Sequence, residues 1–165
     1  MTETLKPGDI IFYPDDGEWK HHIFALMQKW AGEMGKLDGT VTFTHVGMVS
    51  TEPDLMIDMK WPRPRFSFIA DDQRKRIVMR PRCGEDIKTR AIYWFYFNID
   101  TRYSFLDMVL GNLGLLRSYK FCSGMVDRAF KEAGFAITPM DDRIVSPNEL
   151  ASSDKLDFIE EVSHG

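Results

Sequence analysis

The sequence predicts a single α+β domain in which a small antiparallel β-sheet packs against helices. Short β-rich runs bounded by turn residues occur mainly in the first half of the chain, and two of them are close enough to pair as a hairpin. Helical periodicity is most regular in the second half. The chain has 165 residues, 44% of them hydrophobic, so one well-filled core is expected and residues 1–165 are expected to form one domain.

Five segments have the composition and length of β-strands. They are rich in β-branched or aromatic residues, and most are bounded by glycine, proline or aspartate. The proline-containing stretch Trp61–Phe66 is expected to be an extended loop instead. The predicted strands are Asp9–Tyr13, Phe43–Ser50, Leu55–Lys60, Ile77–Arg80 and Phe158–Val162.

The first predicted helix spans Glu18–Ala31 and places Trp19 and Trp30 roughly on one apolar face. A helix of this kind usually packs on a core. The alternative is a lid or an element that touches a membrane surface through its tryptophans.

Three further helices are predicted besides the one that carries Cys122. Glu85–Phe97 has apolar residues at helical spacing, although Tyr93–Phe97 alone also fits a strand. Asp100-Thr101 would cap the next helix, and the capping box Ser146-Pro-Asn-Glu149 begins a short helix that ends at Ser152.

The segment Tyr119–Phe135 predicts an amphipathic helix that begins near Cys122 and ends before Gly134. A thiol in the first turn lies near unpaired backbone N–H groups and the positive end of the helix dipole, which favour the thiolate. A lone cysteine on an apolar helix face is more often a core residue, so a nucleophilic role depends on its partners. The charged residues expected on the solvent side are Asp127, Arg128, Lys131 and Glu132.

His45 and Asp58 lie on the two strands of the predicted hairpin. If Thr51-Glu52 form a tight turn, His45 faces Asp58 directly; if the loop is Thr51–Asp54, His45 faces Lys60 and Asp58 is its diagonal neighbour on the same face. Either register leaves the carboxylate within reach of the imidazole, where it would fix the tautomer and stabilise the imidazolium.

Charge and cysteine content exclude several classes of protein. The net charge is −4, but basic residues crowd the segment from Lys60 to Arg82, which suits either an anionic ligand or a solvated face. No nucleic-acid partner is expected, because domains that bind nucleic acids are usually basic overall.

Two cysteines without a Cys-x-x-Cys motif predict neither a disulfide framework nor a metal site. Cys83 is therefore expected to be incidental, and no cofactor is expected.

No apolar run reaches the length of a membrane-spanning helix, and the polar N-terminus lacks an export segment. A cytoplasmic location is therefore expected, with delivery to a cell wall by a leaderless route as the alternative.

Three motifs together resemble the NlpC-type cell-wall cysteine peptidases, which have a papain-like fold. Phe121-Cys-Ser-Gly-Met-Val-Asp-Arg-Ala-Phe130 resembles the nucleophile helix, Thr44-His-Val-Gly-Met-Val49 the histidine strand, and Leu5-Lys-Pro-Gly-Asp-Ile-Ile-Phe12 the entry strand. The histidine precedes the cysteine here, whereas ordinary members have the reverse order. The chain therefore resembles the circularly permuted YiiX-like branch, which is related to the lecithin retinol acyltransferase group.

The resemblance implies a papain-like cysteine hydrolase in which Cys122 is the nucleophile, His45 the base and Asp58 the orienting group. It also implies that Tyr103 lies beside the cysteine and helps to bind the substrate, next to Ser123. The implied substrate is a small peptide amide such as those of peptidoglycan stems.

Other expectations concern the ligands of this site. Arg63 and Arg65 in the basic segment are expected to hold substrate carboxylates. Two alternatives stay open, namely a lipid esterase or acyltransferase that contacts a membrane surface through Trp19–Ala31, and a binding module without catalysis. Oligomeric state cannot be predicted from these patterns.

Overall fold

The computed structural model describes residues 5–14, 43–52, 54–60, 63–99, 122–139 and 145–162. Within these ranges six strands form one sheet, and three helices accompany it, so the predicted α+β class is confirmed. The strands are β1 Ile10–Pro14, β2 Phe43–Val49, β3 Leu55–Lys60, β4 Arg63–Phe68, β5 Arg76–Pro81 and β6 Leu156–Val162. The helices are α1 Glu85–Phe97, α2 Cys122–Glu132 and α3 Pro147–Ala151.

The sheet has the strand order β4-β3-β2-β1-β5-β6, and every neighbouring pair is antiparallel. The first strand therefore lies inside the sheet, with a three-stranded meander on one side and β5 and β6 on the other. A buried ion pair joins the start of β1 to β5, since Arg80 donates from Nε and Nη2 to the carboxylate of Asp9 at 2.8 and 2.9 Å.

The β2–β3 hairpin adopts the wider of the two predicted registers. Gly47 pairs with Asp58 and Val49 with Met56, so Asp58 is the diagonal neighbour of His45. Asp54 has φ 64°, a left-handed conformation that aspartate tolerates better than most residues. The hydrogen bond from Ser50 N to Leu55 O, at 2.8 Å, closes the loop.

The prediction of a loop at Trp61–Phe66 was wrong, because Arg63–Phe68 is strand β4. It pairs with β3 over its whole length, with Pro64 opposite Met59. Proline is tolerated there because β4 is the outermost strand among the described residues, where a missing N–H costs no ladder hydrogen bond.

One face of the sheet packs against the helices. Helix α2 contacts β2, β3 and α1, and α3 contacts β2. The main core contains residues from both layers, including Phe12, Val46, Met48, Ile57, Ile92, Phe95, Val126 and Phe130. A smaller cluster lies on the opposite face: Ile11, Tyr13, Val49, Met56 and Ile69.

The helix ends follow the sequence signals. Gly134, with φ 94°, follows α2, and Phe135 N returns to Phe130 O at 2.8 Å, which closes the helix as a glycine C-cap does. Ser146 caps α3 by accepting a hydrogen bond from Glu149 N at 3.1 Å. The run Tyr93–Phe97 belongs to α1, so its helical prediction was correct.

Two predicted helices, Glu18–Ala31 and the one after Asp100-Thr101, lie outside the described residues. In the ranges that are described, every helix is too short or too polar to cross a membrane.

Candidate active site

His45 and Asp58 form a buried hydrogen-bonded pair on neighbouring strands. His45 Nε2 lies 2.9 Å from Asp58 Oδ2, and the two residues are 8% and 0% exposed. The contact expected from the alternating strand pattern is therefore present.

Gly47 makes room for this pair. A Cβ atom at Gly47 would overlap the Met56 side chain and lie 3.3 Å from Asp58 Cβ. The backbone φ of Gly47 is not in the left-handed region. Glycine is therefore needed here because a larger residue would not fit, and not because of the backbone conformation. The absence of a side chain at this position lets Met56 and Asp58 lie close to β2 beside the imidazole.

A β-bulge adjoins His45. The pairing of β1 with β2 shifts after Tyr13, which is opposite His45, so that Pro14 is opposite Phe43. Bulges bend a strand and redirect its side chains, and they are frequent next to active sites. The bulge is thus at the N-terminal end of β2, next to His45.

Cys122 is the first residue of α2 and is 4% exposed. Its side chain lies close enough to His45 to help raise the pKa of the imidazole. Because Asp58 occupies Nε2, the ring nitrogen left for the thiol is Nδ1. The three side chains thus form a chain of contacts in the order Cys122, His45, Asp58.

The surroundings favour the charged form of His45. Burial alone opposes the imidazolium, but hydrogen bonds and charge interactions with Asp58 and Cys122 outweigh it and raise the pKa of His45 from 6.5 to about 9. At neutral pH the imidazole is therefore protonated when it faces the sulfur. A positively charged imidazole therefore lies beside a cysteine in the first turn of a helix.

Tyr13 packs against His45 from β1, with ring centroids 5.7 Å apart and planes 34° apart. The Arg74 guanidinium lies 4.0 Å from the centre of the Tyr13 ring, and Arg74 Nε donates to Asp72 Oδ1 at 2.9 Å. Burial opposes ionisation of Asp72, but its hydrogen bonds with Arg74 hold the pKa of Asp72 well below its usual range. Sequence reasoning missed Tyr13 and Arg74. The alternation of side chains along β1 could have identified Tyr13, because it places Tyr13 opposite His45 once the β1–β2 register is known.

Arg65 lies beside Asp58. It is opposite Asp58 in the β3–β4 ladder, its Nε is 3.7 Å from Asp58 Oδ1, and its side chain is 54% exposed. About half of the Arg65 side chain is thus open to solvent next to the buried pair. The backbone of Arg63 pairs with Lys60, and its side chain lies outside the described atoms.

Ser123 is fully buried, and its hydroxyl donates to Val145 O at 2.7 Å. The structure thus uses this hydroxyl to join the start of α2 to the segment before α3. Tyr103, the other expected substrate-binding residue near the cysteine, lies outside the described residues.

Asp127 does not lie on the solvent side of α2 as expected, because it is only 3% exposed. It accepts a hydrogen bond from Thr138 Oγ1 at 2.8 Å and pairs with Lys131 Nζ at 2.7 Å. These contacts tie the loop after α2 back to the helix. The prediction for Asp127 was wrong because one of its partners, Thr138, lies outside the helix.

Cys83 lies apart from this arrangement, in the turn between β5 and α1, and is half-buried. Burial is the main cause that raises its pKa, which disfavours the thiolate. As for metals, the described part of the chain has no group of three or more His, Cys, Asp or Glu side chains placed to hold an ion.

Comparison of the chain with models of protein families gave no match, and comparison with curated proteins gave no significant match.

Proposed function

We propose that this protein is a cysteine hydrolase that cleaves an amide bond through an acyl-thioester, with Cys122 as nucleophile, His45 as acid and base, and Asp58 as the orienting carboxylate. The observation that carries the proposal is the buried hydrogen bond between His45 and Asp58 at 2.9 Å, with Cys122 near enough to the same imidazole to help raise its pKa. The motif resemblance to permuted NlpC-type peptidases supports the same assignment and a papain-like architecture.

In the first half of the reaction, the thiolate of Cys122, whose proton is held by His45, attacks the carbonyl carbon of the substrate. The imidazolium then gives this proton to the departing amine, and the C–N bond breaks. The products of this half-reaction are a free amine and an acyl group bound to Cys122.

In the second half, water attacks the acyl-thioester while His45 accepts a proton from it, and the C–S bond breaks to release a carboxylic acid. The thiolate and imidazolium are then restored. Throughout, Asp58 bonds Nε2 and so keeps Nδ1 directed to the sulfur side.

The backbone N–H of Cys122 is suited to stabilise the oxyanion. It belongs to the first residue of α2, where N–H groups have no acceptor one turn earlier in the helix. A donor at this place would act on the carbonyl oxygen as negative charge develops there.

The substrate class rests on the resemblance and on Arg65. Peptidoglycan-type stem peptides carry free carboxylates next to their amide bonds, and the half-exposed Arg65 side chain beside Asp58 supports recognition of such a group. We therefore propose a cell-wall-peptide amidase or endopeptidase.

The test is mass spectrometry after brief treatment with substoichiometric iodoacetamide at about pH 6.5, where an unperturbed thiol is almost entirely protonated. Cys122 should be labelled faster than Cys83, which serves as the internal control, and His45→Ala should remove the difference. Equal labelling of the two cysteines in the native protein would overturn the activated nucleophile.

Turnover is then measured on muropeptides and, separately, on lipid esters. Cys122→Ala should abolish hydrolysis while its circular dichroism stays native, and Cys83→Ala should retain activity. Hydrolysis of lipid esters alone would instead identify an esterase, and fast labelling with neither activity would favour a binding module.

A further inference from the structure

A second candidate site is an apolar groove between the β2–β3 loop, β4 and the C-terminal half of α1. Its volume is about 460 Å³, within the range of small-molecule sites. The groove lies on the opposite face of the sheet from the catalytic carboxylate, because Phe66 follows Arg65 on β4 and successive side chains alternate. The residues that line it are Ser50, Glu52, Leu55, Phe66, Phe68 and Tyr96.

The groove presents aromatic rings to solvent. Phe66 and Phe68 are 45% and 58% exposed, although both belong to a sheet whose apolar side chains are otherwise mostly buried. Phe66 and Tyr96 have centroids 5.4 Å apart with planes tilted by 53°, and Tyr93 meets Tyr96 edge to face at 5.9 Å. Phe66 and Phe68 are nevertheless about half exposed, and an aromatic face that is open to solvent attracts a cation.

The hydroxyl groups in the groove are already engaged with each other. Ser50 Oγ lies 2.5 Å from the Tyr96 hydroxyl, Thr51 Oγ1 lies 3.2 Å from it, and Glu52 N donates to Ser50 Oγ at 3.2 Å. The other uncharged residues that line the groove, Leu55, Phe66 and Phe68, are all apolar. The lining therefore favours a ligand with an apolar body.

Glu52 supplies the charge. It is exposed, and in the described part of the chain no hydrogen bond or ion pair engages its carboxylate, while its backbone N–H is bonded. It is the one charged residue among those lining the groove. From the aromatic faces and this carboxylate we infer that the groove binds a small organic cation, in which an ammonium group is attached to an apolar body.

The test uses the full chain and choline, observed by titration of the backbone amide signals in NMR spectra. The neutral isostere 3,3-dimethylbutan-1-ol has the same shape without the charge and is titrated in parallel. Choline should give saturable shifts confined to residues 50–55, 66–68 and 93–97 and should bind about fivefold or more tightly than the alcohol.

Three variants separate the contributions. Phe66→Leu keeps an apolar side chain but removes the ring, so choline binding should weaken about fivefold while binding of the alcohol changes little. Glu52→Gln keeps the shape without the charge and should weaken choline binding about threefold. Asp154→Asn removes an exposed carboxylate elsewhere and should have no effect.

Equal binding of choline and its neutral isostere, or an unchanged affinity in Glu52→Gln, would overturn the inference. Binding of phosphatidylcholine vesicles or of a trimethyllysine peptide without any binding of free choline would also overturn it, since the occupant would then be a membrane or a protein. Neither result bears on the cysteine site, because Cys122 is not part of the groove.

Discussion

Asp58 is paired across the sheet with Gly47 and not with His45, yet its Oδ2 lies 2.9 Å from His45 Nε2. A diagonal contact of this kind needs free space at position 47, because a side chain there would crowd Asp58 beside the imidazole. The glycine provides that space, and the geometry of the proposed active site therefore depends on a residue with no functional group.

Gly47→Ala should destabilise the protein by about 1–3 kcal/mol, because the added methyl group overlaps the buried Met56 side chain and crowds Asp58. Hydrolysis should fall further than the loss of folded protein explains, since the carboxylate is displaced from the imidazole. Urea denaturation gives the stability and initial rates under folding conditions give the activity. The double variant Gly47→Ala/Met56→Ala, which removes the overlap, should recover activity relative to Gly47→Ala; no recovery would contradict this explanation.

The imidazole of His45 should titrate near pH 9 in the native protein, as measured by NMR of its Hε1 proton and assigned by the loss of that signal in His45→Gln. Asp58→Asn and Cys122→Ala should each lower this pKa, because each removes a partner that raises it. A pKa that stays the same in both variants would contradict the proposed contacts.

The same shift predicts how stability depends on pH. Since the folded pKa is raised above the ordinary value of 6.5, the stabilisation from the imidazolium is complete below pH 6.5 and is lost as the pH rises through about 9. The stability advantage of the wild type over His45→Gln should therefore shrink between these two values, as measured by thermal unfolding. An advantage that grows over this interval would reverse the sign and refute the prediction.

Ser123→Ala should cost about 1–3 kcal/mol, because it leaves the carbonyl of Val145 without its buried donor. Ser152→Ala is the matched control: Ser152 also donates to a carbonyl, that of Glu149 at 2.9 Å, but in an exposed place. Denaturant unfolding should show a clear loss for the first variant and a small change for the second. Similar losses in both would show that burial is not what makes the Ser123 contact important.

Tyr13→Leu should slow both hydrolysis and the alkylation of Cys122 by about tenfold, since the imidazole loses the ring that packs against it and its orientation loosens. Tyr13→Phe keeps the ring and removes only the hydroxyl, which donates to Met56 Sδ at 3.3 Å, so its rates should stay close to those of the wild type. If Tyr13→Phe is as slow as Tyr13→Leu, the hydroxyl and not the ring is responsible.

The sequence was sufficient to place His45 near Asp58, because strand alternation brings the two together in either hairpin register. It could not choose the register, since Thr51–Asp54 contains no glycine, and the left-handed residue proved to be Asp54. Strand β4 was missed because Pro64 argues against a strand in the interior of a sheet, and only the strand order shows that β4 is at its edge.

The residues around the imidazole were harder to predict than the triad. Tyr13 and Arg74 reach the site only through the pairing of β1 with β2 and the position of the segment before β5, which are long-range relationships. Ser123 was expected beside the substrate, whereas it is fully buried and its hydroxyl donates to Val145 O. Short-range patterns identified the candidate reactive groups. The residues that hold these groups in place are brought to the site by tertiary packing, which short-range patterns do not reveal.

The position of β1 inside the sheet has a consequence for the newly made chain. The strands that bear His45 and Asp58 emerge from the ribosome well before Cys122, and β1 cannot complete its pairing until β5 has been synthesised. Cys122 therefore reaches His45 only after most of the domain has been synthesised. If the proposed function is correct, hydrolysis begins only when α2 has packed onto β2.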